Sequence, residues 1–396
     1  MSALLVAGGV YRERCVWPDW RRTFGSAGRA ASAVASLVDS VEVLTPAPPE
    51  VAAEYEAEAR LDGVKVRLAP AAPGLLFDYV HGLSIPTISP APAALPPPGV
   101  FDAAAPVVLR FGMLEASARV RAEMCVYDPQ SAFAPEAFAA NGSRVARLAV
   151  VGNRGEVSAL GGDPDPVSAA GSMLASGTEV IVVKAGSAGA SVVTASGVGT
   201  VPARLTENVW PVGSGDVFAA AFTVAWAVDG LSPEEAADFA SYAVADYVES
   251  MSLPISPALR SERPPRQPVT AKGGKVYLAG PFFSMGQRWL VDEARRGLRE
   301  LGMQVFSPLH DIGRGAAHEV APADLEALQG CGSVLALLDG LDSGTLFEVG
   351  YARAIGLPVY GLAQVTSEED LKMVTGSGCR VFTDFVTCLH HCAWGA

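Results

Sequence analysis

Positive charge is scarce in this chain: 29 Lys and Arg stand against 42 Asp and Glu, a net charge of −13 over 396 residues. No Lys/Arg run offsets that deficit, so nucleic-acid backbones and anionic membrane surfaces are repelled, and neither is expected as a partner. No stretch of about 18 consecutive apolar residues occurs, which excludes a transmembrane helix. The opening MSALLVAGGVYRERC lacks a basic region followed by an apolar stretch and a cleavage site. It reads instead as a short buried strand ending in Gly8-Gly9. Cysteine is sparse: Cys15, Cys125, Cys331, Cys379, Cys388 and Cys392 are scattered through the chain. That usage fits reduced thiols in a cytoplasm better than a disulfide scaffold.

Half of the residues are hydrophobic, with 41 Gly and 29 Pro to make tight turns. Short apolar, β-branched runs alternate with helical segments almost throughout. Strands are predicted at 4–7, 41–45, 64–68, 107–110, 145–151, 180–184, 190–194, 276–279, 304–307, 334–338 and 358–362. Helices are predicted at 28–38, 136–141, 166–176, 215–229, 233–251, 287–301, 322–329 and 346–355. This alternation predicts an α/β protein with parallel sheets covered by helices on both faces. Its active sites should lie at the carboxyl ends of the strands. Residues 254–274 carry five prolines in their first fifteen positions and read as a semi-rigid linker. The expected division is 1–253, a linker at 254–274, and 275–396. The Pro-rich stretch 85–99 is expected to be a surface loop within the first domain.

In the first domain, Gly213-Ser214-Gly215 opens a strongly apolar helix. Small residues there let backbone amides approach an anion, and the helix dipole favours negative charge at that end. Asp216 follows in the first turn, where a carboxylate can take a proton from a hydroxyl attacking a phosphoryl group. The plain alternative is an ordinary Asp beside a glycine turn. Asn153 and Glu156, three apart after a strand, can hold metal-bound water near a polyphosphate. Lys184 to Gly189 is a strand end running into a glycine-bounded turn, a suitable wall for a nucleotide.

The Asn-x-x-Glu at 153–156, Lys-x-Gly-x-x-Gly at 184–189 and Gly-Ser-Gly-Asp at 213–216, in that order, resemble the PfkB (ribokinase-like) family of sugar and nucleoside kinases. The resemblance covers about 1–253. It implies a ribokinase-like parallel-sheet domain, ATP and Mg2+ as cofactors, Asp216 as catalytic base and 213–215 as the anion hole. Lys184, Gly186, Asn153 and Glu156 would border the nucleotide, with Glu156 on the metal side. Gly25 to Ala31 resembles the glycine-rich acceptor segment without its usual Asn. Glu13 stands where an acidic sugar-binding residue belongs, and the stretch is short for a full lid.

In the second domain, Val276 to Phe283 is a strand ending in a Gly-Pro turn. Asp324 is expected near the start of a short helix, Asp342 in a loop after a strand, and Glu348 in the first turn of the next helix. Carboxylates gathered at one sheet edge repel one another, so one stays ionised while another can hold a proton. Cleaving a glycosidic bond needs that pairing: an anionic nucleophile for the anomeric carbon and an acid for the leaving group. Ordinary helix-capping carboxylates are the alternative. The cluster Cys388-Leu389-His390-His391-Cys392 reads as a helix end with buried thiols rather than a zinc site.

Tyr-Leu-Ala-Gly-Pro-Phe-Phe at 277–283, Ser-Pro-Leu at 307–309, Asp-Leu at 324–325 and Asp-Ser-Gly-Thr-x-x-Glu-x-Gly-Tyr-Ala at 342–352 resemble the nucleoside 2-deoxyribosyltransferase family. The resemblance implies a flavodoxin-like domain with Glu348 as nucleophile and Tyr277 orienting it. It further implies Asp342 on sugar hydroxyl, Asp324 assisting protonation of the base, and Phe283 packed on base or sugar. No cofactor is implied for this half. Members complete the site with a segment from a neighbouring subunit, so a homo-oligomer is expected. The tail at 380–396 has no such match, and relatives on this fold also hydrolyse nucleoside 5′-monophosphates. The expected protein is a bifunctional enzyme of nucleoside metabolism acting on nucleoside or nucleotide and sugar substrates. The alternative is glycosyl activity alone, with the kinase-like half a nucleotide-binding scaffold or sensor.

Overall fold

The computed structural model describes residues 2–131, 134–269 and 273–395. The chain divides into two compact units, Met1–Pro268 and Val269–Ala396.

The first unit is built on a ten-stranded sheet. Nine strands follow the order Gly197–Val201, Ala190–Thr194, Val180–Lys184, Arg144–Asn153, Ala116–Asp128, Val107–Phe111, Ala3–Ala7, Ser40–Thr45 and Lys65–Leu68. The tenth, Gly99–Ala104, pairs with the first half of Ala116–Asp128. All pairings are parallel except the two that join Val180–Lys184, Ala190–Thr194 and Gly197–Val201. The central strands are apolar, β-branched runs because helices cover both of their faces. Leu4–Ala7 and Val180–Val183 are accordingly buried along their length. The helix Gly25–Val34 is buried at all ten positions. Its small residues allow that: an added Cβ at Gly28 would sit 3.0 Å from the Tyr55 ring.

A second, four-stranded sheet of Trp20–Thr23, Arg12–Cys15, Leu76–Tyr79 and Thr87–Ser89 belongs to the same unit. The stretch expected to be too short for a lid supplies two of these strands, Leu76–Tyr79 is the third, and the 85–99 loop supplies the fourth. The helix predicted at 136–141 is a turn instead. The Asn141 side chain accepts from the Ser143 amide at 3.1 Å and donates to Ala118 O at 2.9 Å, offering the backbone an alternative to helix.

The proline-rich segment is not a solvated spacer up to residue 268. Ile255 and Leu259 are buried. The Ile255 amide donates to Ala33 O at 2.9 Å, and Leu205 N donates to Gln267 O at 2.9 Å. Prolines forbid regular hydrogen bonding but not side-chain burial, so composition alone misplaced this segment. Of the expected linker, residues 270–272 lie outside the described residues.

The second unit has a five-stranded, wholly parallel sheet in the order Gln304–Phe306, Lys275–Ala279, Ser333–Leu337, Val359–Leu362, Arg380–Phe382. In chain order this is 2-1-3-4-5, the flavodoxin-like doubly wound arrangement, whose switch point lies between strands one and three. Helices Met285–Glu300, Ala317–Gln329, Ser343–Ala354 and Phe385–Trp394 complete it. The last of these is buried at every position, Cys388 and Cys392 included. His390 Nδ1 lies 2.9 Å from Val386 O, and burial lowers its pKa to about 4.

Candidate active sites

Parallel strands bring several chemistry-bearing residues of the first unit to one edge. Asp128, Asn153 and Lys184 are each the last residue of adjacent strands. They border a cavity of about 410 Å³ that is also lined by Glu13, Arg29, Glu115, Gln130, Glu156, Gly213, Gly215 and Asp216. The helix Ser214–Thr223 points its N-terminus here. Gly213 caps it with φ +80°, a left-handed conformation that glycine adopts without strain. The first-turn amides lack helical partners, so this end is suited to an anion. Asp216 lies in that first turn, as expected. Ser214 is the helix's first residue, and Gly186 sits in the turn just after Lys184; neither lines the cavity.

Asp216 is not free. Its Oδ2 accepts from Arg29 Nη1 at 2.7 Å, and its Oδ1 accepts from Gln130 Nε2. The same guanidinium donates through Nη2 to Glu13 Oε2 at 2.5 Å. Arg29 is 1% exposed and Glu13 3%. Burial opposes the Arg29 charge, but Glu13 and Asp216 outweigh it and raise its pKa. Burial likewise lifts Glu13 despite the opposing Arg29. Glu115, on the same cavity, is pushed by burial to about 7.

Lys184 Nζ pairs with Asp128 Oδ2 at 2.5 Å. Burial raises Asp128, with Lys184 working against it. Asn153 and Glu156 form a capping box: Glu156 N donates to Asn153 Oδ1 at 2.9 Å, and Asn153 N to Glu156 Oε2 at 2.7 Å. Ser131 N donates to Glu156 Oε1 at 3.2 Å. The Asn-x-x-Glu spacing is therefore first a helix start. Asp128 Oδ1 is fully buried without a hydrogen-bond partner. With Glu156 on the same cavity, it gives the acidic oxygens that Mg2+ on a polyphosphate takes, since that ion needs only one or two carboxylates beside phosphate and water.

In the second unit, Tyr277 on the first strand donates from Oη to Glu348 Oε1 at 2.5 Å. The site thus sits at the switch point. Glu348 is half-buried in the second turn of Ser343–Ala354, not the first, because Asp342 is the N-cap. Burial raises Glu348 to about 7; Tyr277 pulls it down, while Asp324 and Asp342 push it further up. Both carboxylates are thus near enough for their charge to act on Glu348. Asp342 Oδ2 accepts from Thr345 N at 2.8 Å and Oγ1 at 3.0 Å, so it caps the helix that carries Glu348. Asp324 lies in the middle of Ala317–Gln329 rather than near its start, with Oδ1 buried and unpartnered. Phe283 is 73% exposed, and its ring packs on Phe282 with centroids 5.4 Å apart.

Two family models match the chain. Residues 115–255 match the pfkB family carbohydrate kinase model, and residues 276–380 match the nucleoside 2-deoxyribosyltransferase model. Solved structures similar to the chain include a ribokinase from Thermotoga maritima, 16% identical, covering 66% of this chain and 99% of its own, with a TM-score of 0.47. Phosphofructokinase-2 from Escherichia coli is 18% identical, covers 63% of this chain and 94% of its own, and has a TM-score of 0.47. A pyrophosphate-dependent kinase of the ribokinase family, complexed with a pyrophosphate analog and myo-inositol, is 14% identical, covers 65% and 99%, and has a TM-score of 0.43. None of the curated proteins compared matches the chain. A segment matching a kinase family model and one matching a deoxyribosyltransferase family model thus lie in tandem, which supports an enzyme. No helix among the described residues is long and apolar enough to cross a membrane.

Sequence reasoning missed Arg29, Gln130, Asp128 and Glu115. The available signal for Asp128-Pro129-Gln130 was its place at the carboxyl end of a strand. Arg29 lies within the Gly25–Ala31 segment that resembles an acceptor segment, but the Arg itself reads as a solvated side chain.

Proposed function

We propose that the chain is a two-site enzyme of nucleoside metabolism, cleaving or transferring an N-glycosidic bond in its second unit and phosphorylating a hydroxyl in its first. The observation that carries the reading is Glu348, held by Tyr277 beside two further carboxylates at a sheet switch point. Tyr277 occupies Oε1, which leaves Oε2 to attack the anomeric carbon of a nucleoside or nucleotide. The C–N bond breaks, and the base leaves with a proton from Asp324, whose pKa burial raises. Water or a second base then releases the sugar from Glu348. Asp342, already fixed as a cap, has Oδ1 left for a sugar hydroxyl, and the exposed Phe283 offers a face for the base.

In the first unit the acceptor is a sugar or nucleoside hydroxyl and the donor is ATP. The hydroxyl proton passes to Asp216 while the helix N-terminus receives the phosphoryl oxygens. Asp128 and Glu156 would hold Mg2+ on the donor, where it neutralises phosphate charge. Lys184 adds a fixed cation at the same edge. One observation favours glycosyl activity alone, with this unit a nucleotide-binding scaffold: both Asp216 oxygens are already engaged, by Arg29 and Gln130. Chromatography of products from a panel of nucleosides, deoxynucleosides and nucleoside monophosphates tests the glycosyl reading. Magnesium–ATP titration and ADP formation with ribose, adenosine and myo-inositol test the kinase reading. Free base from no panel member removes the first; binding without ADP formation leaves the scaffold.

A further inference from the structure

Arg29 is the largest fully buried side chain that the reading above does not use. It lies against the N-terminus of the helix Ser214–Thr223. A Cβ built on Gly213 would fall 2.2 Å from Arg29 Cδ and Nε and 2.4 Å from Cζ. Only a glycine at the helix cap lets the guanidinium approach so closely. On the other side, a Cβ on Gly215 would lie 3.3 Å from Lys184 Nζ. A buried cation, Arg29, and a half-buried one, Lys184, therefore bracket one helix N-terminus. Arg29 Nε is buried and makes no hydrogen bond. Tyr247, whose hydroxyl donates to Val212 O at 2.8 Å, also faces the guanidinium, which acts on it through charge and a side-chain hydrogen bond.

A buried guanidinium nitrogen without a protein partner beside an anion site needs a reason, since buried donors are nearly always paired. The charge balance supplies one. Two carboxylates, Glu13 and Asp216, share one guanidinium. The pairing with Asp216 holds only while Asp216 is ionised. A base that takes a proton loses its charge at the moment when the phosphoryl oxygens most need a cation.

Resting on the kinase reading, we propose that Arg29 is a catalytic residue whose guanidinium passes from Asp216 to the transferred phosphoryl group as Asp216 accepts the acceptor's proton. The acceptor O–P bond forms and the bond from the terminal phosphorus to the ADP oxygen breaks. That electron pair stays on the β-phosphate, and the hydroxyl proton ends on Asp216. Glu13 keeps the arginine in place throughout. The handover also explains an engaged Asp216 in a working site: the contact with Arg29 is the starting state of the reaction rather than an obstruction. Because Glu13 holds the guanidinium beside the anion site from the start, the handover is a local shift and not the arrival of a distant charge.

The test separates ground-state from transition-state binding in the full chain. Magnesium–ADP alone and magnesium–ADP with aluminium fluoride, which mimics the transferring phosphoryl group, are titrated against wild type, Arg29→Lys and Arg29→Ala. Arg29→Lys keeps a cation between the two carboxylates and so guards against a misfolded Ala variant, and thermal melting checks both. The expected result is ADP affinity within about threefold in every folded variant. The extra affinity conferred by aluminium fluoride should fall by about 10²-fold or more, the scale of losing one pre-organised donor. A merely structural Arg29 would weaken both complexes alike, and that outcome overturns the proposal. So does undiminished aluminium fluoride enhancement in Arg29→Lys, or a wild type that gains nothing from it. A wild type that does not bind ADP removes the kinase reading itself.

Discussion

Tyr277 Oη lies 2.5 Å from Glu348 Oε1, tying the first strand of the second unit to the helix after its third. Burial raises the phenol's pKa far above its ordinary value, with Glu348 adding to the shift. The proton therefore stays on Tyr277, and Glu348 receives a hydrogen bond that favours its ionised form. A neutral donor to a charged acceptor orients one oxygen and leaves the other for chemistry.

Replacing Glu348 with Ala or Gln is expected to abolish base release, a loss of about 10³-fold or more. The helix is capped by Asp342, so the variants should fold. Tyr277→Phe should lower kcat by about ten- to a hundredfold, the worth of one charge-assisted hydrogen bond, with a smaller effect on KM. Initial rates of base release against nucleoside concentration check both. Near wild-type turnover in Glu348→Ala removes the nucleophile assignment.

Acidity should act on Glu348 in two opposite senses. As a nucleophile it must be ionised, so base release should fall about tenfold per pH unit below about 7, its raised value. Stability runs the other way. A carboxyl whose folded pKa is raised contributes stability that is complete below its unfolded value and is lost as pH rises through the folded one. From pH 4.5 to about 7 the wild type should lose melting temperature relative to Glu348→Gln. Parallel melting curves would refute the buried, protonatable Glu348.

Sequence made visible whatever is local or periodic. Leu4–Ala7 and Val180–Val183 announce buried parallel strands, and Gly213 to Asp216 announces a helix start beside an anion. Asp342 and Glu348 of the second unit were legible because their motif lies within one strand–helix turn. Arg29 with Asp216 was not: the two are 187 residues apart and meet only through the order of the sheet. The strands Arg12–Cys15 and Trp20–Thr23 are four residues each, too short for alternation to declare itself. The helix Phe385–Trp394 is buried all round and so carries no amphipathic stripe.

Asp216→Asn should leave magnesium–ADP affinity within a few-fold while lowering phosphoryl transfer by about 10²- to 10⁴-fold, the range for loss of a general base. Asn keeps the shape beside Arg29 and Gln130, and Glu13 still neutralises the guanidinium. The check is calorimetric titration of ADP alongside ADP release with acceptor. Full activity in this variant would mean that another group takes the proton.

The first unit runs on past residue 253 to Pro268. A boundary at 253, placed by composition, would cut away Ile255 and Leu259, each 2% exposed. Burying a large aliphatic side chain is worth about 1.5–3 kcal/mol. The cut would also remove Arg260 from Asp229, at 2.9 and 3.1 Å, and Arg266 from Asp246 and Glu249, at 2.9 and 2.6 Å. Such partly exposed pairs add about 0–1 kcal/mol each. The sum is on the order of 3–9 kcal/mol, a large share of the roughly 5–15 kcal/mol that holds a domain together. A fragment of residues 1–253 should therefore melt at least about 6 °C below one of residues 1–268, at about 2–4 °C per kcal/mol for this size. Circular dichroism melts of the two fragments decide it. Equal melting temperatures would mean that residues 254–268 contribute nothing to the core and that the composition-based boundary was the better one.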